Sequence, residues 1–287
     1  MHRRSFLQAA GILAVGTVAP LKTSGCGNHQ RVKSIGIQLY TIRDIMNRDP
    51  DEGLALVASL GYDYVEGAGY EAGSMYKLSP WAFKGLLSKY NLTMPSGHFS
   101  WEWMYNDIDR VVETAVTLEH AYVVLPYWPE DKRTPEGYDM LLGILKTAGR
   151  ACQREGLQFA YHHHAFEFDP LPDGKIPFDM ILAETDPDLV KIELDHYWLA
   201  KAGKDYAAYF RQYPGRFPLW HVKDMDNTPE QFFAAVGNGV LDWPAIFRQS
   251  ETAGLDYFFV EQDNTREHVL IEEQIASSFQ YLRKMRF

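Results

Sequence analysis

The sequence predicts a single (β/α)₈ barrel, on three observations. Eight short apolar runs rich in β-branched and aromatic residues alternate with longer stretches of helical periodicity from residue 34 to the end. No linker, low-complexity tract or compositional break interrupts the series, so one domain is expected rather than two. The 287 residues suit a barrel of roughly 250 residues preceded by a short leader. A doubly wound open sheet is the alternative, but no Gly-x-Gly-x-x-Gly turn follows the first apolar run.

The elements follow in order. The leader, residues 1–30, opens with His2-Arg3-Arg4-Ser5-Phe6-Leu7 and an apolar stretch over 9–19, too short for a ~20-residue membrane span. It resembles a bacterial twin-arginine signal, so export to the periplasm is expected, with the barrel in residues 31–287. Thr23-Ser24-Gly25-Cys26 resembles a relaxed lipobox. A lipid on Cys26 is the one membrane link expected; a soluble periplasmic form is the alternative.

Strands are expected over 34–40, 62–67, 92–98, 122–127, 157–164, 190–197, 217–223 and 257–262. Helix starts are marked by Ser79-Pro80, Thr134-Pro135-Glu136 and Asp242 before Pro244, and helix stops by Gly61, Gly156 and Gly254. Within 190–195, period two puts Lys191, Glu193 and Asp195 on one face and the apolar residues on the other. A barrel strand covered on both sides is ordinarily apolar throughout, so the polar face argues for a hydrated barrel mouth.

Composition narrows the chemistry. Asp and Glu total 38 against 28 Lys and Arg, a formal net charge of -10 with no basic run in the body, which argues against a nucleic-acid partner. Only Cys26 and Cys152 are present, too few for a disulfide framework or a cysteine zinc site. Any metal must therefore be held by histidines and carboxylates.

In a barrel, chemistry sits at the C-terminal ends of the strands. Those ends carry Tyr40, Glu66, His98, the triplet His162-His163-His164, Asp195-His196, His221, Lys223, Asp224 and Glu261. Imidazole and carboxylate together suit Mn²⁺, Zn²⁺, Co²⁺ or Fe²⁺. Trp101, Trp103, Trp128 and Trp198, just past strand ends, are placed to stack on a sugar ring.

Five segments occur in series: Tyr161-His162-His163-His164-Ala165-Phe166-Glu167-Phe168, Ile192-Glu193-Leu194-Asp195, Trp220-His221-Val222-Lys223-Asp224, Gly237-Asn238-Gly239-Val240-Leu241-Asp242-Trp243 and Val260-Glu261-Gln262-Asp263. Together they resemble the sugar phosphate isomerase/epimerase family of xylose isomerase-like TIM barrels, over about residues 34–285. The resemblance implies one divalent metal held by Asp195, His221 and Glu261. At the fourth position, where a Glu is usual, this chain has His162, in the manner of the Tyr-His-x-His branch; His164 is the other candidate for that ligand.

The family's activity implies an isomerase or epimerase acting on a keto-sugar through an enediolate, with Glu261 as the favoured base and His98 or His164 as further catalytic groups. Tyr40, Glu66, Trp198 and Lys223 are expected to bind substrate. Export points to an unphosphorylated small-molecule carbohydrate. Replacing one Glu by His162 removes the symmetrical pair of bases that epimerisation uses, which favours the runner-up, a lyase or dehydratase working by β-elimination. A non-catalytic sugar-binding barrel is the third expectation.

Overall fold

The computed structural model describes residues 30–287; the expected signal, with Arg3, Arg4 and Cys26, lies outside the described residues. Eight parallel strands close into a barrel in sequential order: β1 Gly36–Gln38, β2 Tyr64–Gly67, β3 Thr93–His98, β4 Tyr122–Leu125, β5 Gln158–His162, β6 Val190–Asp195, β7 Leu219–Val222 and β8 Tyr257–Val260. Closure comes from β8 beside β1, with Gly36 opposite Phe259 and Ile37 opposite Val260. Helices separate the strands, the longest being Pro135–Arg154 and Ile271–Lys284. No helix among the described residues is long and apolar enough to cross a membrane.

The punctuation works as the residue types demand. Ser79, Thr134 and Asp242 accept from the backbone N–H groups of Ala82, Gly137 and Ala245 at the starts of their helices. Gly61, Gly156 and Gly254 take the left-handed backbone that a side chain would resist. The strands are shorter than expected at several ends because capping competes with pairing. The sixth stops at Asp195, whose Oδ1 accepts from Trp198 N at 2.9 Å and opens the helix His196–Lys201. The fifth stops at His162, where His163 and His164 leave the sheet. Two small hairpins, Tyr70–Glu71 with Ser74–Met75 and Asp224–Met225 with Phe233–Ala234, were not anticipated.

Period two divides the barrel interior into layers. Tyr64, Tyr122, Val124, Ala160, Leu219 and Phe259 form an apolar plug, while Ile37, Val65, Val123, Phe159, Ile192 and Trp220 belong to the larger cluster shared with the helices. Gly36 is part of the plug's design: a Cβ there would sit 2.1 Å from Tyr64 Cε2. Two residues further along the same faces come Gln38, Glu66, His162, His221 and Glu261, so the interior turns polar toward the strand ends.

Candidate active site

The polar layer opens into a cavity of about 520 Å³ lined by Tyr40, Tyr70, His98, Tyr127, His162, His164, Lys223, Glu261 and Asp263, among others. Of the expected ligands Glu261 lines it while Asp195 and His221 are fully buried beside Glu261, and one atom each from Asp195, His221 and Glu261 lie within 4.8 Å of one another. His221 Nδ1 is 2.7 Å from Glu261 Oε2 and 3.9 Å from Asp195 Oδ2. Asp195 Oδ2 is buried, and Lys223 Nζ at 3.1 Å is its nearest cation, with no well-directed hydrogen bond reaching it among the described residues. One imidazole nitrogen and two buried carboxylate oxygens fit a divalent metal of the Mn²⁺ to Zn²⁺ series.

A second group stands beside the first. Glu193 Oε2 is approached by three imidazoles: His98 Nε2 at 2.8 Å, His162 Nδ1 at 3.1 Å and His221 Nε2 at 3.2 Å. These four residues also have metal-ligand spacing. His162 thus packs against the Asp195, His221 and Glu261 group, its ring 4.5 Å from that of His221, while its Nδ1 is engaged by Glu193.

Electrostatics sort the groups by charge. Burial opposes charging His98, but Glu66 and Glu193 outweigh it and push the pKa up to about 9. His221 is buried too, yet Glu193 and Glu261 hold its pKa well above the ordinary value. Burial drives His162 and His164 the other way, well below the usual imidazole range, helped by the charges of His221 and Lys223 respectively. Burial lifts Asp195 to about 6 against the pull of Lys223 and His221. Glu261 is held low because Lys223 and His221 outweigh its desolvation.

The expected site residues separate accordingly. Tyr40, His98, His162, His164, Lys223 and Glu261 reach the cavity. Glu66 does not line it; fully buried, it accepts from Gln38 Nε2 at 2.8 Å and meets His221 Nε2 at 2.7 Å, so it supports His221 from below. Its strand position predicted the layer, and the neighbours took its oxygens. Trp198 packs beside the His164 ring with centroids 5.4 Å apart. Lys223 is buried among Glu261 at 2.7 Å, Asp263 at 3.0 Å and Asp195 at 3.1 Å.

Three contributors carried no assigned role in the sequence reading. His163 Nε2 accepts from Asp195 N at 3.2 Å while its Nδ1 lies 3.1 Å from His164 O, tying the end of β5 to the end of β6. Buried Glu167 accepts from Tyr161 Oη at 2.6 Å and His164 N at 2.8 Å, which fixes the loop that carries His164. Asp224 receives Gly237 N, Leu241 N and Trp243 Nε1, and so shapes the 237–243 segment. Their signal was the repeated motif spacing, which marks positions without stating partners.

Comparison with known proteins bears on this geometry. The family model described as xylose isomerase-like TIM barrel matches residues 54–285. The chain belongs to this xylose isomerase-like TIM-barrel family. A sugar phosphate isomerase/epimerase from Parabacteroides distasonis has the same fold, with a TM-score of 0.77, 24% identity and coverage of 91% of this chain and 97% of that one. The IOLI protein, solved with a bound zinc atom, aligns with a TM-score of 0.66 at 18% identity over 86% of this chain and 96% of that one. Among curated proteins, an inosose dehydratase from Geobacillus thermodenitrificans is 26% identical over 172 residues, 53% of this chain and 54% of that protein. The chain spans about half the length of the first curated relatives it matches, and seven further matches bear the same activity in their names. Among xylose isomerase-like barrels with known names, then, dehydratases stand beside the isomerases and epimerases that the motifs suggested.

Proposed function

We propose that this protein is a divalent-metal-dependent lyase that performs β-elimination on a keto-sugar or cyclitol ketone, releasing water or a glycosidic oxygen. The observation that carries the reading is the convergence of Asp195 and His221 on Glu261, which lines a cavity together with His98, His164 and Lys223. A cavity of about 520 Å³ is of the size that takes a small ligand. Asp195, His221 and Glu261 would hold the metal, with His162 as the fourth candidate. When bound, the metal supplies a Lewis acid that polarises the substrate carbonyl and stabilises the enolate.

The protein's own groups divide the proton work. His164, held neutral by burial and set in the cavity lining, accepts the proton beside the carbonyl. His98, held protonated by Glu66 and Glu193, gives its proton to the departing oxygen. The C–H and C–O bonds break, a C=C bond forms, and the protons balance between two imidazoles. Glu261, the base implied by the family resemblance, is bound to His221 and Lys223 and held ionised, which suits a ligand better than a base. Tyr40 and Tyr127, 44% and 45% exposed at the mouth, offer ring faces to a sugar.

The dehydratase names of the curated relatives support elimination. The isomerase or epimerase is the second reading, since it shares the enolate; His162 in place of a second glutamate leaves the bases unsymmetrical and weighs against it. The Arg3-Arg4 leader supports action in the periplasm on an unphosphorylated carbohydrate, with lipid attachment at Cys26 a further proposal.

The test combines metal content by mass spectrometry with turnover of inosose and 3-keto-glycosides in D₂O. We expect about one transition metal per chain, lost in folded Asp195→Ala and His221→Ala, and a product lighter by water or cleaved in two. An isomer of unchanged mass carrying solvent deuterium would establish the epimerase instead. A folded chain that takes no metal and leaves every keto-sugar intact would mean a sugar-binding barrel.

A further inference from the structure

Lys223 Nζ contacts the two carboxylate oxygens that a metal at this site would use. It lies 2.7 Å from Glu261 Oε2 and 3.1 Å from Asp195 Oδ2, and its side chain is 1% exposed. It follows His221 by two residues, one position past the end of β7, and so lies on the same interior side one layer nearer the mouth. On its other side Asp263 receives it with both oxygens at 3.0 Å. The rings of Trp198, Phe233 and Tyr197 stand 5.4 to 6.0 Å away and keep the ammonium in a poorly screened setting.

We propose that Lys223 is a resident cation that sets how tightly this site binds its metal, an inference that rests on the metal-dependent reading above. Ammonium and divalent ion draw on the same two oxygens, so each weakens the other's hold, and their like charges repel across a short, dry distance. Asp263 makes the arrangement workable. It offers the lysine a carboxylate outside the Asp195, His221 and Glu261 group, so the ammonium can shift its weight outward while staying paired. The lysine thus keeps three buried or half-buried carboxylates compatible with one another and keeps the metal exchangeable.

The experiment is calorimetric titration of the chelator-treated full chain with Mn²⁺ and, separately, Zn²⁺, for wild type, Lys223→Met, Lys223→Gln, Asp263→Asn and the double variant Lys223→Met/Asp263→Asn. Both neutral replacements of the lysine should tighten Kd by about tenfold or more, and Asp263→Asn should weaken it. In the Lys223→Met background the Asp263→Asn effect should shrink to well under half, because the carboxylate acts through the ammonium. The glutamine variant, whose amide can donate two hydrogen bonds to the surrounding carboxylates, serves if the methionine variant does not fold. A folded lysine variant that binds metal as wild type does, or more weakly, overturns the inference while leaving the metal reading intact. No metal uptake by wild type or either lysine variant overturns the metal reading and this inference together.

Discussion

Replacing Glu193 with Gln isolates what holds His98 protonated. The change keeps shape but removes the negative charge that lies 2.8 Å from His98 Nε2. The groups facing His98 are Glu193, Glu66 at 3.3 Å, and the neighbouring rings of His162 and His221. Lifting the pKa from 6.5 to about 9 against burial corresponds to about 3 kcal/mol between the two protonation states. Because the folded pKa is raised, this stabilisation is complete below about 6.5 and disappears as pH climbs through about 9. Glu193 is one of two carboxylates that overcome desolvation as well as raising the pKa, so Glu193→Gln should bring His98 down by more than about one pH unit. The assay is an NMR titration of the His98 ring in metal-free protein, paired with urea unfolding from pH 6 to 10 and the alkaline limb of any elimination activity. All three should move to lower pH together. A His98 that titrates at the same pH in the variant, or near 6.5 in the wild type, would refute the reasoning.

Other expectations test the scaffold. Gly36→Ala drives a methyl into Tyr64 and within 2.9 Å of Phe258 O, so urea unfolding should show a loss of about 1–3 kcal/mol; an unchanged midpoint would mean the plug gives way freely. Asp224→Ala strips the acceptor from Gly237 N, Leu241 N and the buried Trp243 Nε1, and should cost about 4 kcal/mol or prevent folding altogether. His163→Ala removes the tie between β5 and Asp195 N, and metal titration should register about 10- to 100-fold weaker binding with the fold retained by circular dichroism. By contrast Lys89→Ala breaks an exposed pair with Asp51 and should leave the urea midpoint essentially unchanged.

The barrel was readable because its signals are local. Eight apolar runs, the proline-marked helix starts and the glycine stops each act within a few residues, and the structure shows them at work at Ser79, Thr134, Asp242, Gly61, Gly156 and Gly254. The two hairpins leave no mark in the sequence, since each strand has only two residues, too few to show a period. Strand ends were overextended where a capping group intervened, as at Asp195, because capping depends on which oxygen finds which amide.

By itself the sequence determined the architecture, the polar face of the strand at 190–195 and the set of ionisable residues at the strand ends, since alternation along a strand assigns each side chain to one side. Tertiary structure alone decided the partnerships. The histidine triplet divides into His162 beside Glu193, His163 as a tie to Asp195, and His164 facing the cavity. Glu66 supports His221, and Lys223 stands between Asp195, Glu261 and Asp263. These pairings join residues up to 155 positions apart, and Glu66 Oε2, Glu193 Oε2 and Glu261 Oε2 are each contested by more than one donor. Barrel closure sets which donors come within reach, and buried charge makes the outcome of that competition decisive for protonation.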